Sequence, residues 1–219
     1  MKHLRLIVNG KLGCPPGLEG LIKRLRERGV HCEVRLTQEG GDAVRFAREA
    51  SSEEVDLVLV AGGDGTAHQA VNGLMGPDGT AGVPLAILPL GTANDFARGC
   101  RIPLELDRAV ELALDQAPRP VDLIRTDREL VLNAATAGFG AKVTADTPPE
   151  LKRALGGLAY ALMGLANAFR FKPFGGRVRS PEGEEAASLL VAAVTNGRQA
   201  GGGQQLAPRA LIDDGLLDL

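Results

Sequence analysis

Paired cysteines, a surplus of positive charge, an apolar run long enough to cross a bilayer and internal repeats are all missing from these 219 residues. Each absence removes a class of protein. Cys14, Cys32 and Cys100 form no C-x-x-C pair and leave an odd number, which argues against a disulfide framework and a cysteine-ligated zinc, and points to a reducing, cytoplasmic setting. A formal net charge of −2 and a pI near 6.0 supply no general attraction to nucleic acid or to anionic membrane. No nucleic-acid partner is expected, and any lipid contact must be local. The opening strand-like run Leu4 to Val8 breaks at Asn9-Gly10, too short for the core of a signal peptide. The most apolar stretch, Ala154 to Phe169, is shorter than the roughly 20 residues that span a bilayer, so no transmembrane segment is expected. A buried helix is the reading there, with a helix touching lipid head groups as the alternative.

What is present is 44% hydrophobic and 24% charged residues, enough to bury a core. As far as Arg101, short apolar runs alternate with helical periodicity, the pattern of an α/β layer with a mostly parallel sheet. Strands are expected at Leu4 to Val8, Cys32 to Leu36, Val55 to Val60 and Leu85 to Leu88. Leu18, Leu21, Ile22 and Leu25 mark a helix that Gly29 ends; Asp42 is placed to cap the next; further helices run through Ala70, Val71 and Leu74 and from Asp107 to Leu114. Near residue 120 the pattern turns to hairpins, Val121 to Arg125 with Leu130 to Ala134, and Gly176 to Arg179 with Ala187 to Val194. The expected organisation is an α/β domain over residues 1–120 and an antiparallel β-rich domain over 121–219.

Gly62-Gly63-Asp64-Gly65-Thr66 follows an apolar strand and opens a helix. Glycines remove the Cβ atoms that keep backbone from a phosphate, and a helix N-terminus adds unpaired N–H donors. Thr66 can cap the helix or donate to a phosphate oxygen; Asp64 can hold a nucleotide hydroxyl or a metal-bound water. A tight turn, rich in glycine for steric reasons alone, is the plain alternative. A second loop, Pro89 to Arg98, sits in the same context, so the two would flank one crevice at the carboxyl ends of the strands. There Thr92 and Asn94 can bond a nucleotide, while Asp95 can equally cap a helix. A third stretch, Thr195 to Pro208 followed by Ala210 to Leu216, carries Asp213-Asp214-Gly215, which suits a hard cation or a simple turn.

These motifs, together with Asn133 to Gly140 and the whole stretch Asn196 to Leu217, resemble the diacylglycerol kinase catalytic family in its bacterial lipid kinase branch. The resemblance covers essentially the whole chain. It implies a two-domain kinase that moves the γ-phosphate of ATP to a lipid hydroxyl, phosphatidylglycerol-like or diacylglycerol-like, at the cytoplasmic surface of a membrane. By position, ATP would be held by Thr37, Gly62, Gly63, Asp64, Gly65, Thr66, Ala67, His68 and Thr92. Mg²⁺ (or Ca²⁺) would take the carbonyls of Leu211 and Leu216 and the carboxylate of Asp214. Lys11 either faces the phosphates or is simply solvated.

Two departures stand out. His68-Gln69 replaces the family's usual Asn-Glu, and the family's general-base glutamate would lie beyond Leu219, so the second domain is expected to be cut short and the chain to turn over poorly. The alternatives are a silent nucleotide-binding or regulatory fragment, and an NAD kinase or phosphofructokinase-like enzyme, which leaves the Asn196 to Leu217 stretch unexplained.

Overall fold

The computed structural model describes residues 3–13, 15–138, 173–181 and 183–219. Cys14, Phe139, Gly140, Glu182 and the apolar stretch 154–169 lie outside the described residues.

Leu4, Leu6 and Val8 alternate with Arg5 and Ile7 along β1 (His3–Val8), so successive side chains feed opposite faces of a sheet. Four parallel strands, β1, β2 (His31–Leu36), β3 (Leu57–Gly62) and β4 (Leu85–Pro89), stand in the order β2-β1-β3-β4. One face packs Leu4, Leu6, Val8, Leu59 and Leu88 against α1 (Leu18–Glu27) and α5 (Leu106–Asp115). The other packs Ile7, Val58 and Val60 against α2 (Asp42–Ser52) and α3 (Asp64–Leu74). The strand order reverses between β1 and β3, which opens a crevice at their carboxyl ends.

Arg5 is a charge inside this layer, fully buried, bonded to Glu33 at 2.8 and 2.5 Å, to Glu53, and to the carbonyl of Phe46 at 3.0 Å. Burial opposes its charge, but the hydrogen bonds to both glutamates outweigh that cost and raise its pKa.

Beyond α4 (Asp95–Gly99) and α5 the pairing becomes antiparallel, as expected, but the partners differ. The first hairpin is reduced to β5 (Ile124–Arg125) and β6 (Leu130–Val131), and Ala134 starts a separate strand, β7 (Ala134–Gly138). The second hairpin pairs β8 (Phe174–Ser180) with β9 (Gly183–Leu189) and ends there; β10 (Val191–Thr195) leaves it to pair with β7. Leu190 lies between β9 and β10, and Gly138, paired with Val191, has a positive φ and no room for a Cβ beside the Leu190 carbonyl, so the chain changes sheets at this corner. Local alternation cannot register such a switch. Two short strands, β11 (Gln199–Ala200) and β12 (Gln204–Gln205), close the glycine turn, and Asp218 bridges back to Thr195. A third apolar cluster joins the regions: Ala67, Val71 and Phe96 meet Leu132, Val121, Leu123 and Ile212. Among the described residues no helix is long and apolar enough to cross a membrane.

Candidate functional site

β1 and β3 end side by side, and the residues that leave them are tied together. Asn9 donates its N–H to the carbonyl of Ala61 (3.0 Å) and its Nδ2 to Thr66 Oγ1 (3.0 Å). Thr37, at the end of β2, accepts the N–H of Gly10 on its hydroxyl (3.1 Å). Thr66 therefore does not cap α3: its hydroxyl turns back to the strand ends, and the N-cap is Gly63 with no side-chain cap. Thr66 and Ala67 direct their N–H groups to Gly63 O, whereas those of Asp64 and Gly65 belong to the helix start, where no intrahelical acceptor exists. Gly65 is exposed, and a Cβ built on it meets nothing within 4 Å.

The glycines around it have a different reason. A Cβ on Gly91 would come within 2.4 Å of Gly63 Cα, and one on Gly63 within 3.0 Å of Gly91 Cα. The two loops touch backbone to backbone, which by itself requires glycine at Gly63 and Gly91, whereas Gly65 stands in open space.

The aspartates are spent on architecture. Asp64 accepts the N–H groups of Asp95 (3.1 Å) and Phe96 (3.0 Å), anchoring the start of α4 with its carboxylate. Asp95 in turn accepts from Gln199 Nε2 (3.2 Å) and from the N–H groups of Gly202 (2.8 Å) and Gly203 (2.7 Å), reaching into the second region. Asp95 thus does not cap its own helix. Asn94 is buried, with its amide used inside its own loop on Gly91 N, Gly91 O and Pro89 O. Asp42 likewise does not cap α2. It accepts from Gln38 N and Glu39 N upstream and pairs with Arg45, and these contacts hold its carboxyl down at about 2.

Of the expected ATP residues, Thr37, Gly62, Gly63, Asp64, Gly65, Thr66 and Ala67 gather around the ends of β1, β2 and β3. Thr92 is exposed on the neighbouring loop, while His68 turns aside to Glu129 (3.0 Å) on the β5–β6 turn. Lys11 is exposed on the turn after β1. Two cavities, of about 630 and 440 Å³, line α1 and β2 away from this crevice.

In the expected cation loop, Asp214 Oδ1 accepts the N–H of Leu216 (3.0 Å), and Leu211, Asp214 and Leu216 are all exposed. Asp122 fastens the loop, receiving Gly215 N on its carboxylate (2.7 Å) and donating its own N–H to Ile212 O (2.7 Å). Among the described residues no group of three or more His, Cys, Asp or Glu stands together to hold an ion.

Sequence reasoning missed the polar latches Asn9, Asn72, Asp122, Asn133 and Asn196. Asn72 pairs both amide atoms with the backbone of Leu130. Asn196, fully buried, donates to Asp122 O (2.6 Å) and Leu132 O (3.1 Å), while its own N–H and that of Gly197 go to Asn133 O. An asparagine amid apolar neighbours, as at Asn72, was the available signal.

The model of the diacylglycerol kinase catalytic domain matches residues 3–126, more than half of the chain, and the model of the YegS C-terminal NAD kinase beta sandwich-like domain matches residues 133–219. The chain belongs to the diacylglycerol kinase catalytic family. Similar proteins include one named "Probable lipid kinase YegS-like" from Chromohalobacter salexigens, 50% identical over 98% of this chain and 69% of its own length. Another of that name, from Shewanella frigidimarina, is 46% identical over 100% of this chain and 71% of its own length. A crystal structure of a diacylglycerol kinase from Bacillus anthracis str. Sterne superposes with a TM-score of 0.76 at 29% identity, covering 99% of this chain and 71% of that one. As a member of this family the chain is a lipid kinase. The alignments run through this chain and give the expectation of a cut-short second domain no support beyond the difference in length.

Proposed function

We propose that the protein transfers the γ-phosphate of ATP to the hydroxyl of a phosphatidylglycerol-like or diacylglycerol-like lipid at the cytoplasmic surface of a membrane. The observation that carries the reading is the open amino end of α3. Gly65 lies exposed there, the N–H groups of Asp64 and Gly65 have no helical acceptor, and the carboxylate of Asp64 is bonded to the start of α4. Thr37 and Thr92 stand on the neighbouring loops, where they would contact the rest of the nucleotide. His68, bonded to Glu129, shapes the wall toward the second region and is the weakest member of the expected set.

The loop of Leu211, Asp214 and Leu216 offers only oxygen donors, the chemistry that Mg²⁺ or Ca²⁺ takes, but with one carboxylate and two carbonyls it would be a weak site. A divalent cation would supply charge neutralisation for the transferred phosphoryl group or order this loop. Asp214→Ala should weaken cation binding by calorimetry and leave ATP binding intact; equal cation affinity in both proteins removes the site.

Asp64 and Asp95 each accept backbone N–H groups with both oxygens. Both carboxylates are thereby committed to holding loops together.

The deciding experiment is Gly65→Val, which meets open space in the folded protein but crowds a phosphate. ATP affinity should fall at least about tenfold, equivalent to about 1.4 kcal/mol, with the fold intact by circular dichroism. Unchanged affinity overturns the assignment. Labelled ATP offered with a panel of lipids then names the acceptor.

A further inference from the structure

As β1 ends, its chain stays bonded to both neighbouring strands. Asn9 gives its N–H to the carbonyl of Ala61 on β3 (3.0 Å), and Thr37, just past β2, gives its N–H to the carbonyl of Val8 (2.9 Å). Asn9 also opens a single 3₁₀ turn, Gly10–Leu12, and its Oδ1 accepts the N–H of Lys11 at 3.1 Å. A backbone N–H can only donate, so this bond decides which end of the amide is oxygen and turns Nδ2 the other way. Nδ2 meets Thr66 Oγ1 at 3.0 Å, 57 residues along the chain.

Capping the turn does not require that second bond. Ser, Thr and Asp cap as well as Asn does. What Asn adds is a donor of fixed direction, and it is the donor that reaches the glycine loop. Room has been left for it: a Cβ on Gly62 would stand 2.7 Å from Thr66 Oγ1, so glycine at position 62 lets the Thr66 side chain lie back toward β1.

The consequence is one of hydrogen-bond polarity. An amide nitrogen only donates, so Thr66 Oγ1 is the acceptor of this bond and its own proton is directed elsewhere. Among the described residues no acceptor takes that proton. Thr66 keeps 8% of its surface exposed, on the first turn of α3 beside the open N–H groups of Asp64 and Gly65. Thr37 repeats the pattern, since its hydroxyl accepts the N–H of Gly10 (3.1 Å) and retains a proton to give. The end of β1 thus occupies the oxygens of two threonines and leaves both as donors. A hydroxyl held in this way suits a ligand atom that only accepts, as the oxygens of a phosphate do.

We propose that Asn9 is a positioning residue for phosphoryl transfer: without touching the nucleotide, its amide holds the Thr66 hydroxyl as a donor to a phosphate oxygen of ATP. The inference rests on the amino end of α3 being the phosphate site, which Gly65→Val tests separately.

A double-mutant cycle on ATP binding, measured by calorimetry, tests the role of Asn9. Thr66→Val keeps the branched shape and removes the hydroxyl, so ATP affinity should fall at least about tenfold, the usual scale for a hydrogen bond to a charged group. Asn9→Ala alone should cost about threefold to tenfold, because the hydroxyl remains but is no longer held. Added to Thr66→Val, it should change affinity by less than about twofold, since its route to the ligand has gone. Adenosine, which carries no phosphate, should compete equally well in the wild type and all three variants. If Asn9→Ala does not fold, Asn9→Asp keeps an acceptor for Lys11 and takes the Thr66 proton on its second oxygen; it should weaken ATP by at least as much and still spare adenosine. Additive losses in the double variant would mean that Asn9 meets the nucleotide itself, and equal losses for ATP and adenosine that it merely supports the loop; either result overturns the proposal. Unchanged ATP affinity in the Asn9 variant overturns it as well, with the phosphate site left standing if Gly65→Val still weakens ATP and removed with it if not.

Discussion

The parallel sheet and the region after residue 120 are held together by different physics. In the sheet, Leu4, Leu6, Ile7, Val58, Leu59, Val60 and Leu88 are all but fully buried, and helices cover both faces. In the later region β8 and β9 are almost entirely exposed, and the parts that matter are fastened by side chains bonded to backbone: Asp95 to the glycine turn, Asn196 to Asp122 and Leu132, Asn72 to Leu130. The lesson is one of division of labour. Apolar burial is non-directional and builds a rigid platform, while hydrogen bonds to specific carbonyls and N–H groups set where a second unit sits against it.

That contrast can be broken by mutation. The largest effect is expected for Leu59→Ala, which empties a fully buried central-strand position and should cost about 2–5 kcal/mol by chemical denaturation. A loss below about 1 kcal/mol would mean the sheet is not the stable platform described.

Asn196→Ala comes next. It strips two carbonyls of their partner, and leaving buried groups unpaired costs about 1–3 kcal/mol. Hydrogen exchange should speed up in β7 and β10 while β1 and β3 keep their protection. Uniform loosening of both regions would show that they unfold as one body.

Asp95→Ala sharpens the point at the junction. Its carboxylate receives three donors, so the turn at Gly201 to Gly203 should lose its anchor and become the first site of proteolysis. Cleavage at an unchanged rate would remove Asp95 as the tether.

The smallest effect belongs to Asp42. Its folded pKa of about 2 lies below the ordinary carboxylate value of 3.8, so its contribution is present above that ordinary value and is lost as pH falls toward 2. Asp42→Asn should flatten the acid limb of stability against pH in the sheet domain alone. An NMR titration that finds the carboxyl near its ordinary value would contradict the hydrogen bonds it accepts from Gln38 and Glu39.

How much of this could be read beforehand differs between the same two regions. The four strands of the sheet and their helices were legible because hydrophobic periodicity is local, and the loops Gly62 to Thr66 and Gly91 to Asp95 were legible because each follows a buried strand and opens a helix. The switch of strand partner at Leu190 was not, since Ala187 to Val194 reads as a single extended run. Nor were the duties of Asp64 and Asp95. A carboxylate in a glycine-rich loop looks the same whether it faces a nucleotide or a helix start, and the N–H groups that donate to it here lie 31 and 108 residues away.

The sequence by itself determined the layer architecture, the positions of the two glycine loops and the family, because each rests on spacing within a few residues or on motifs that stay contiguous. Only the tertiary structure decided which glycines serve loop contact and which stands in open space, and where the aspartates are spent. Those outcomes depend on approach between segments distant in the chain, and hydrogen-bond geometry and steric contact at that range leave no period in the sequence to read.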